Sequence, residues 1–276
     1  MKKQALVVLL ISSILIPFVA CTKVDDNSAS ESTTVSVNKD FFVLVQSDSD
    51  TLLTGLSEYG KDQETIVIPS GVEIVGQIKE STVRNVRFEC DDDININNLL
   101  TSSETLETVI LPANITSLNS YAMANCTALK GIVLPENITV IPSMCFSNDS
   151  SLEKVEFQGN VTEIEAQAFR MCTSLKEIEF PDSITTIGNQ AFFGCSSLST
   201  VTLPKNLKIV GSRAFTNQNS GITTIIVPEE VELESWDSAA FVQWNCPYTV
   251  KVKKGSWADI HFDEVFTGQV TKKYHL

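Results

Sequence analysis

Leu106, Leu129, Leu152, Leu175 and Leu198 stand 23 residues apart, and the surroundings of each leucine repeat with it. Leu106-Glu-Thr-Val109-Ile-Leu111-Pro112 returns as Leu129-Lys-Gly-Ile132-Val-Leu134-Pro135, and again from Leu152 to Gln158, from Leu175 to Pro181 and from Leu198 to Pro204. The Val/Ile and Leu/Phe at the end of each run are two residues apart, the period of a strand with one buried face. Proline follows in four of the five runs and ends the strand, because it has no N–H for a ladder.

A second apolar pair comes next: Ile115 and Leu118, Ile138 and Ile141, Val161 and Ile164, Ile184 and Ile187, Leu207 and Val210. A small residue plus an aromatic then recurs in Ala168-Phe169, Ala191-Phe192 and Ala214-Phe215, with Cys145-Phe146 and Ala122-Met123 in the same slots. Each unit fills one slice of a core and cannot bury that slice alone, so neighbours must stack. Less regular units flank the array: Ile66 to Pro69, Val83 to Phe88, Ile222 to Pro228 after an insertion near residues 217–220, and Val250-Lys-Val252 as a terminal strand. About eight or nine turns at ~4.8 Å each make an array roughly 40 Å long.

The pattern L-x-x-I-x-L-P-x-x-V-T-x-I-x-x-x-A-F-x-x-C-x-S resembles the BspA-type leucine-rich repeat of bacterial surface proteins. Residues 175–197 match it best, through Pro181, Ile184-Thr185, Ile187-Gly188, Ala191-Phe192 and Cys195-Ser196. The resemblance spans about residues 63–247 and departs at Gln158 for proline, Asp149 and Gln218 for cysteine, and Pro142 for glycine. It implies a leucine-rich repeat solenoid with a parallel β-sheet on one face and short helical turns opposite. It also implies a cell-surface or secreted role, commonly adhesion, without catalytic residues. The expected division is a signal peptide over 1–20, a tether over 21–39, an N-terminal cap over 40–62, repeats over 63–247 and a closing unit over 248–276.

The first residues read as an address. Lys2-Lys3 precede an apolar stretch from Ala5 to Ala20, which is shorter than the ~20 residues a spanning helix needs. Phe18-Val19-Ala20-Cys21 resembles a bacterial lipobox, which implies cleavage before Cys21 and its lipidation. Several acyl chains hold a soluble body to a membrane at ~0.8 kcal/mol per buried methylene. The polar run after Cys21 reads as a flexible tether. Its Lys23 and the acids Asp25 and Asp26 resemble a surface-export signal, although an ordinary acidic linker has the same composition. The expected location is therefore the outer membrane, lipid-anchored and facing outward.

Formal charge is −14, and loss of Lys2 and Lys3 with a signal peptide makes it about −16. Such a chain repels phosphate backbones, which excludes nucleic acid as a partner, and also repels anionic membranes, so the lipid must supply the anchor. A monomer is expected.

With Cys21 assigned to lipid, six of the seven cysteines remain. Cys126, Cys172 and Cys195 share one repeat slot, and Cys145 sits in an alanine slot, so packing of small buried thiols explains them better than a disulfide framework. Cys172 and Cys195, in adjacent turns, are the pair able to crosslink. Cys90 and Cys246 lie near opposite ends. His261 and His275 are the only histidines, and no zinc spacing, nucleophile elbow or phosphate loop occurs. Asp91, Asp92 and Asp93 lack the glycine and distal glutamate of a calcium loop and read as solvated. Asn-x-Thr/Ser triplets arise from the repeat's own turn residues. No cofactor is expected.

The working surface is expected on the outward side of the strand column, where side chains alternate with buried ones. Its candidate residues are Lys154, Glu156, Glu177, Glu179, Thr200 and Thr202, with an acidic patch at the three glutamates. Trp236, Trp244 and Trp257 crowd the last 41 residues, where they either cap the open core or form a platform for sugar rings. Two functions follow as expectations. One is a non-enzymatic surface lipoprotein that binds a protein on a host or neighbouring bacterial surface; the alternative is a glycan-binding lipoprotein for nutrient capture.

Overall fold

The computed structural model describes residues 8–11, 14–17, 39–46, 50–78, 81–88, 94–217, 221–243 and 246–275. Cys21 and its lipobox, the tether, Cys90, the aspartates 91–93, Gln218 and Trp244 lie outside the described residues. Val8–Ile11 and Ile14–Pro17 form an antiparallel pair of their own. No helix among the described residues is long and apolar enough to cross a membrane.

The rest is a parallel β-solenoid of about nine coils with the 23-residue period. Each coil has three sides. The first carries the strand that follows the repeated leucine. Thr65–Ile68, Asn85–Phe88 and Thr108–Ile110 pair in parallel, as do Gly131–Leu134 with Lys154–Phe157, and Thr200–Thr202, Thr224–Ile226, Tyr248–Val252 and Val270–Tyr274 in turn. The last of these adds one strand beyond the terminal one expected at Val250. The second side is built from the second apolar pair. Val140–Ile141, Glu163–Ile164, Thr186–Ile187, Ile209–Val210 and Ser235–Trp236 form a five-stranded parallel sheet of two-residue strands.

The third side holds tight turns in place of helix. Tyr121, Met144, Gln167, Gln190 and Arg213 recur at the 23-residue period with φ between 55° and 63°. Asn125, Asn148, Met171 and Gly194 do the same four residues later, with φ between 61° and 78°. A left-handed residue every fourth position breaks any α-helix and costs ~1–2 kcal/mol when it is not glycine. The cost is offset between coils. Gln167 N–H donates to the Asn189 carbonyl at 2.8 Å and Met171 N–H to that of Phe193 at 2.7 Å. Asn125, Met144, Asn148 and Gln190 donate forward in the same way. The third side is therefore a hydrogen-bonded ladder without strands. α-Helix among the described residues is confined to single turns such as Glu58–Lys61 and Trp257–Ile260.

Leu129, Leu152, Leu175 and Leu198 are fully buried in one column, as are Ile141, Ile164 and Ile187 in another. Phe146, Phe169, Phe192, Phe215 and Phe241 form a spine of stacked rings, with centroids 5.2–5.6 Å apart and planes within 10° of parallel. Such contacts add ~0.5–1.5 kcal/mol each beyond the area they bury. At the first end, Phe42–Gln46 and Thr51–Leu56 form an antiparallel hairpin that joins Glu73–Ile74 in parallel. At the other end, Phe266 tilts against Phe241, and Trp257–Ile260, started by the Ser256 hydroxyl on Asp259 N–H, covers the last coils.

Candidate interaction face

The outward face of the first side is set by strand alternation. Val155, Val201, Ile225 and Val250 point into the core, so the residues either side of each point out. Two outward columns result. Thr200, Thr224, Thr249 and Thr271 stand in register, and so do Thr202, Ile226, Lys251 and Lys273. The 23-residue period places Lys154 and Glu177 ahead of Thr200, and Glu156 and Glu179 ahead of Thr202.

Residues 175–180, the best match to the consensus, form no strand, against expectation. Pairing also lapses between Thr108–Ile110 and Gly131–Leu134, but two local features are particular to this gap. Phe157 and Phe180 fill a slot that Leu134 and Leu203 fill elsewhere; both are only partly buried, and Phe180 meets Phe192 edge-on at 5.5 Å. In addition, Glu156 and Glu179 fall opposite one another, and like charges in that relation repel. The open seam is a depression of about 270 Å³ lined by Lys154, Val155, Glu156, Phe157, Glu177 and Glu179. Four of the six residues expected at the site are thus brought together there. Thr200 and Thr202 are exposed on the next paired strand and do not line it. Phe157, read from the sequence as core, forms part of the wall.

Electrostatics separates this depression from the neighbouring charges. One residue before the outward column, Arg84, Glu107, Lys130, Glu153 and Lys176 alternate in sign along the stack. Glu107 accepts from Arg84 at 2.8 Å and Lys130 at 2.7 Å, and Lys176 meets Glu153 at 2.6 Å. Bonding to Lys130, with Arg84 adding to it, holds the Glu107 carboxyl below its ordinary range. Lys154, Glu156, Glu177 and Glu179 have no ion-pair partner among the described residues. They leave a net negative field in a concave, partly apolar setting.

The cysteines have a structural task. Cys126, Cys145, Cys172 and Cys195 are free and buried. The Cys172 and Cys195 thiols donate to the carbonyls of Phe146 and Phe169, each at 3.1 Å, and Cys126 donates to that of Leu100 at 3.0 Å. Burial raises the Cys195 thiol to about 12 and moves the other three in the same direction. Asp149 takes the cysteine slot of its coil. Its Oδ1 accepts Cys126 N–H at 2.8 Å, but its Oδ2 is buried without a partner. No group of three His, Cys, Asp or Glu among the described residues is placed to hold a metal.

Trp236 and Trp257 pack edge-on at 5.6 Å against the end of the core, and Trp257 stacks on His261 at 4.5 Å. Both rings pack against the core as a cap does, and both stay partly exposed.

A BspA type Leucine rich repeat region matches residues 59–176 and 162–256 in six copies. The chain belongs to the BspA-type leucine-rich repeat family. No curated protein matches it. Among solved structures, a leucine rich cell surface protein of Faecalibacterium prausnitzii A2-165 is 18% identical, covers 80% of this chain and 77% of its own, and has a TM-score of 0.44. A T. pallidum leucine rich repeat protein is 22% identical over 78% of this chain and 84% of its own, with a TM-score of 0.38. A leucine-rich repeat protein of Bacteroides ovatus is 16% identical over 86% and 99%, with a TM-score of 0.38. In this BspA-type chain, the apolar columns of the repeat carry the core, and charge varies among the columns that face outward.

Proposed function

We propose that this BspA-type solenoid is a non-enzymatic interaction protein of a bacterial cell surface. It is anchored through lipid on Cys21 and binds a protein ligand at the acidic depression. The observation that carries the reading is the contrast in charge pairing. Glu107 and Glu153 are neutralised within the stack, whereas Glu156, Glu177 and Glu179 face outward unneutralised around an open seam. A concave acidic patch with an aromatic wall favours a basic protein surface, steering it by charge and holding it by contact with Phe157.

The test is recovery of a partner from host or bacterial surface extracts. Wild type is expected to retain a basic protein that Glu156→Lys/Glu177→Lys/Glu179→Lys releases. Equal recovery by both would remove the site. The anchor is tested separately: radiolabelled palmitate is expected in wild type and absent from Cys21→Ser, and protease shaving of intact cells should digest the solenoid.

A further inference from the structure

The outward column that holds Glu156 and Glu179 does not end with them. Continued along the stack it reads Glu156, Glu179, Thr202, Ile226, Lys251, Lys273, one residue per coil. The order of charge is two negative, two neutral, two positive. Lys251 and Lys273 stand in register on neighbouring parallel strands, and neither has an ion-pair partner among the described residues. Nearby lysines are different: Lys272 is bound to Asp259 at 3.0 Å, and Lys253 is paired with Glu229.

Like charges directly opposite one another destabilise a sheet. The stack avoids that arrangement one residue away, where Arg84, Glu107, Lys130, Glu153 and Lys176 alternate. In the outward column like charges follow one another twice, four coils apart: Lys251 and Lys273 on paired strands, and Glu156 and Glu179 across the open seam. Read backwards, the sequence of charges is the complement of itself.

We infer that this face pairs with a second copy of the chain, the two solenoids antiparallel and related by a two-fold axis across the Thr202 and Ile226 coils. Glu156 of one copy then faces Lys273 of the other, Glu179 faces Lys251, and the neutral Thr202 and Ile226 meet at the centre. The contact is isologous, as a closed dimer requires. Six residues separated by five steps of ~4.8 Å give a strip roughly 24 Å long. A strip of that length and one strand wide falls below the ~800 Å² per partner of a standard interface. The pair is therefore weak, carried mainly by charge, and favoured where copies are concentrated. The inference rests on the reading of this face as a binding surface and names one partner for it.

The experiment is sedimentation velocity of the mature chain between 10 and 500 µM, roughly, in about 20 mM and 500 mM salt. Wild type is expected to shift towards dimer at low salt and to be monomeric at high salt. Lys251→Glu/Lys273→Glu makes the strip wholly acidic, and Glu156→Lys/Glu179→Lys makes it largely basic; each alone is expected to stay monomeric. An equimolar mixture of the two variants should recover a heterodimer, at least tenfold tighter than either self-association. Circular dichroism and melting confirm that both variants fold. A wild type that stays monomeric at low salt, or a mixture that fails to associate, overturns the inference. The Lys251→Glu/Lys273→Glu variant also separates it from the proposed function: it should lose the dimer and keep any foreign protein ligand bound at the glutamates.

Discussion

Gln243 donates from Nε2 to the Phe215 carbonyl at 2.6 Å, the bond that the Cys172 thiol makes to Phe146 three coils earlier in the spine. Its Oε1 also accepts Asn217 N–H at 3.2 Å, as Asp149 Oδ1 accepts Cys126 N–H. A thiol, an amide or a carboxyl can thus make this link to the coil before it, the amide doing so from one residue earlier in its coil. The amide meets both bonds. The carboxyl of Asp149 meets one and leaves Oδ2 without a partner.

Asp149→Cys should therefore stabilise the protein. Burial pushes the Asp149 carboxyl well above its ordinary range, with Cys126, Cys145 and Cys172 as the titratable neighbours. A carboxyl whose folded pKa is raised contributes fully below the unfolded value of ~3.9 and loses that contribution as pH rises towards the folded value. The gain from Asp149→Cys should accordingly grow from pH 4.5 to pH 8, reaching about 1–3 kcal/mol. Urea midpoints at the two pH values check this; the same gain at both would count against a neutral buried acid.

Phe192 stacks on Phe169 and Phe215 at 5.3 Å, in the middle of the spine. Phe192→Ala should cost about 3–5 kcal/mol, the range for emptying a buried aromatic site. Ile209→Thr, on the outward side of the second sheet and 42% exposed, should change stability by no more than about 0.5 kcal/mol. Denaturant titration of the two variants side by side gives the comparison.

The thiols of Cys126, Cys145, Cys172 and Cys195 are buried, and their raised pKa values keep them protonated at neutral pH. In a Cys21→Ser/Cys90→Ser background, a water-soluble maleimide at pH 7.5 should modify Cys246 and spare the other four until urea is added. Peptide mapping without reductant should find Cys172 and Cys195 uncrosslinked.

Glu107 is held between Arg84 and Lys130. Glu107→Gln should cost up to about 1 kcal/mol in low salt and almost nothing in 1 M salt. Because the folded carboxyl is depressed, its contribution is present above the unfolded pKa of ~4.3 and is lost as pH falls through the folded value. Melting curves of wild type and variant should converge as pH falls below the ordinary glutamate range.

The stacking was legible because the 23-residue period repeats in every core column, and Leu152 or Ile164 has no other way to leave water. The second sheet was harder to see: pairs such as Glu163–Ile164 are too short to show alternation. The turn side is helical only in single turns: Ser147 N–H to Met144 and Arg170 N–H to Gln167 close i→i+3 turns, while the N–H groups alternating with them are given to the next coil. The four charged residues of the depression were found from alternation alone. The seam between them was not, because it lies where residues 175–180 form no strand and Phe157 and Phe180 take a leucine slot in neighbouring coils. Those are relations between coils, and a single repeat does not contain them. Val270–Tyr274 carries neither the leucine nor the proline that mark other strands, so its place at the end of the sheet comes only from pairing with Tyr248–Val252.

The alternating series Arg84, Glu107, Lys130, Glu153, Lys176 gives the array a parity. Every greasy column looks the same after one step, but this series looks the same only after two. Excising residues 152–174 would keep the hydrophobic register and set Lys130 beside Lys176, whereas excising residues 129–174 would set Glu107 beside Lys176 and keep the signs opposite. Lengthening or shortening such a molecule by duplication should therefore proceed most easily by even numbers of repeats.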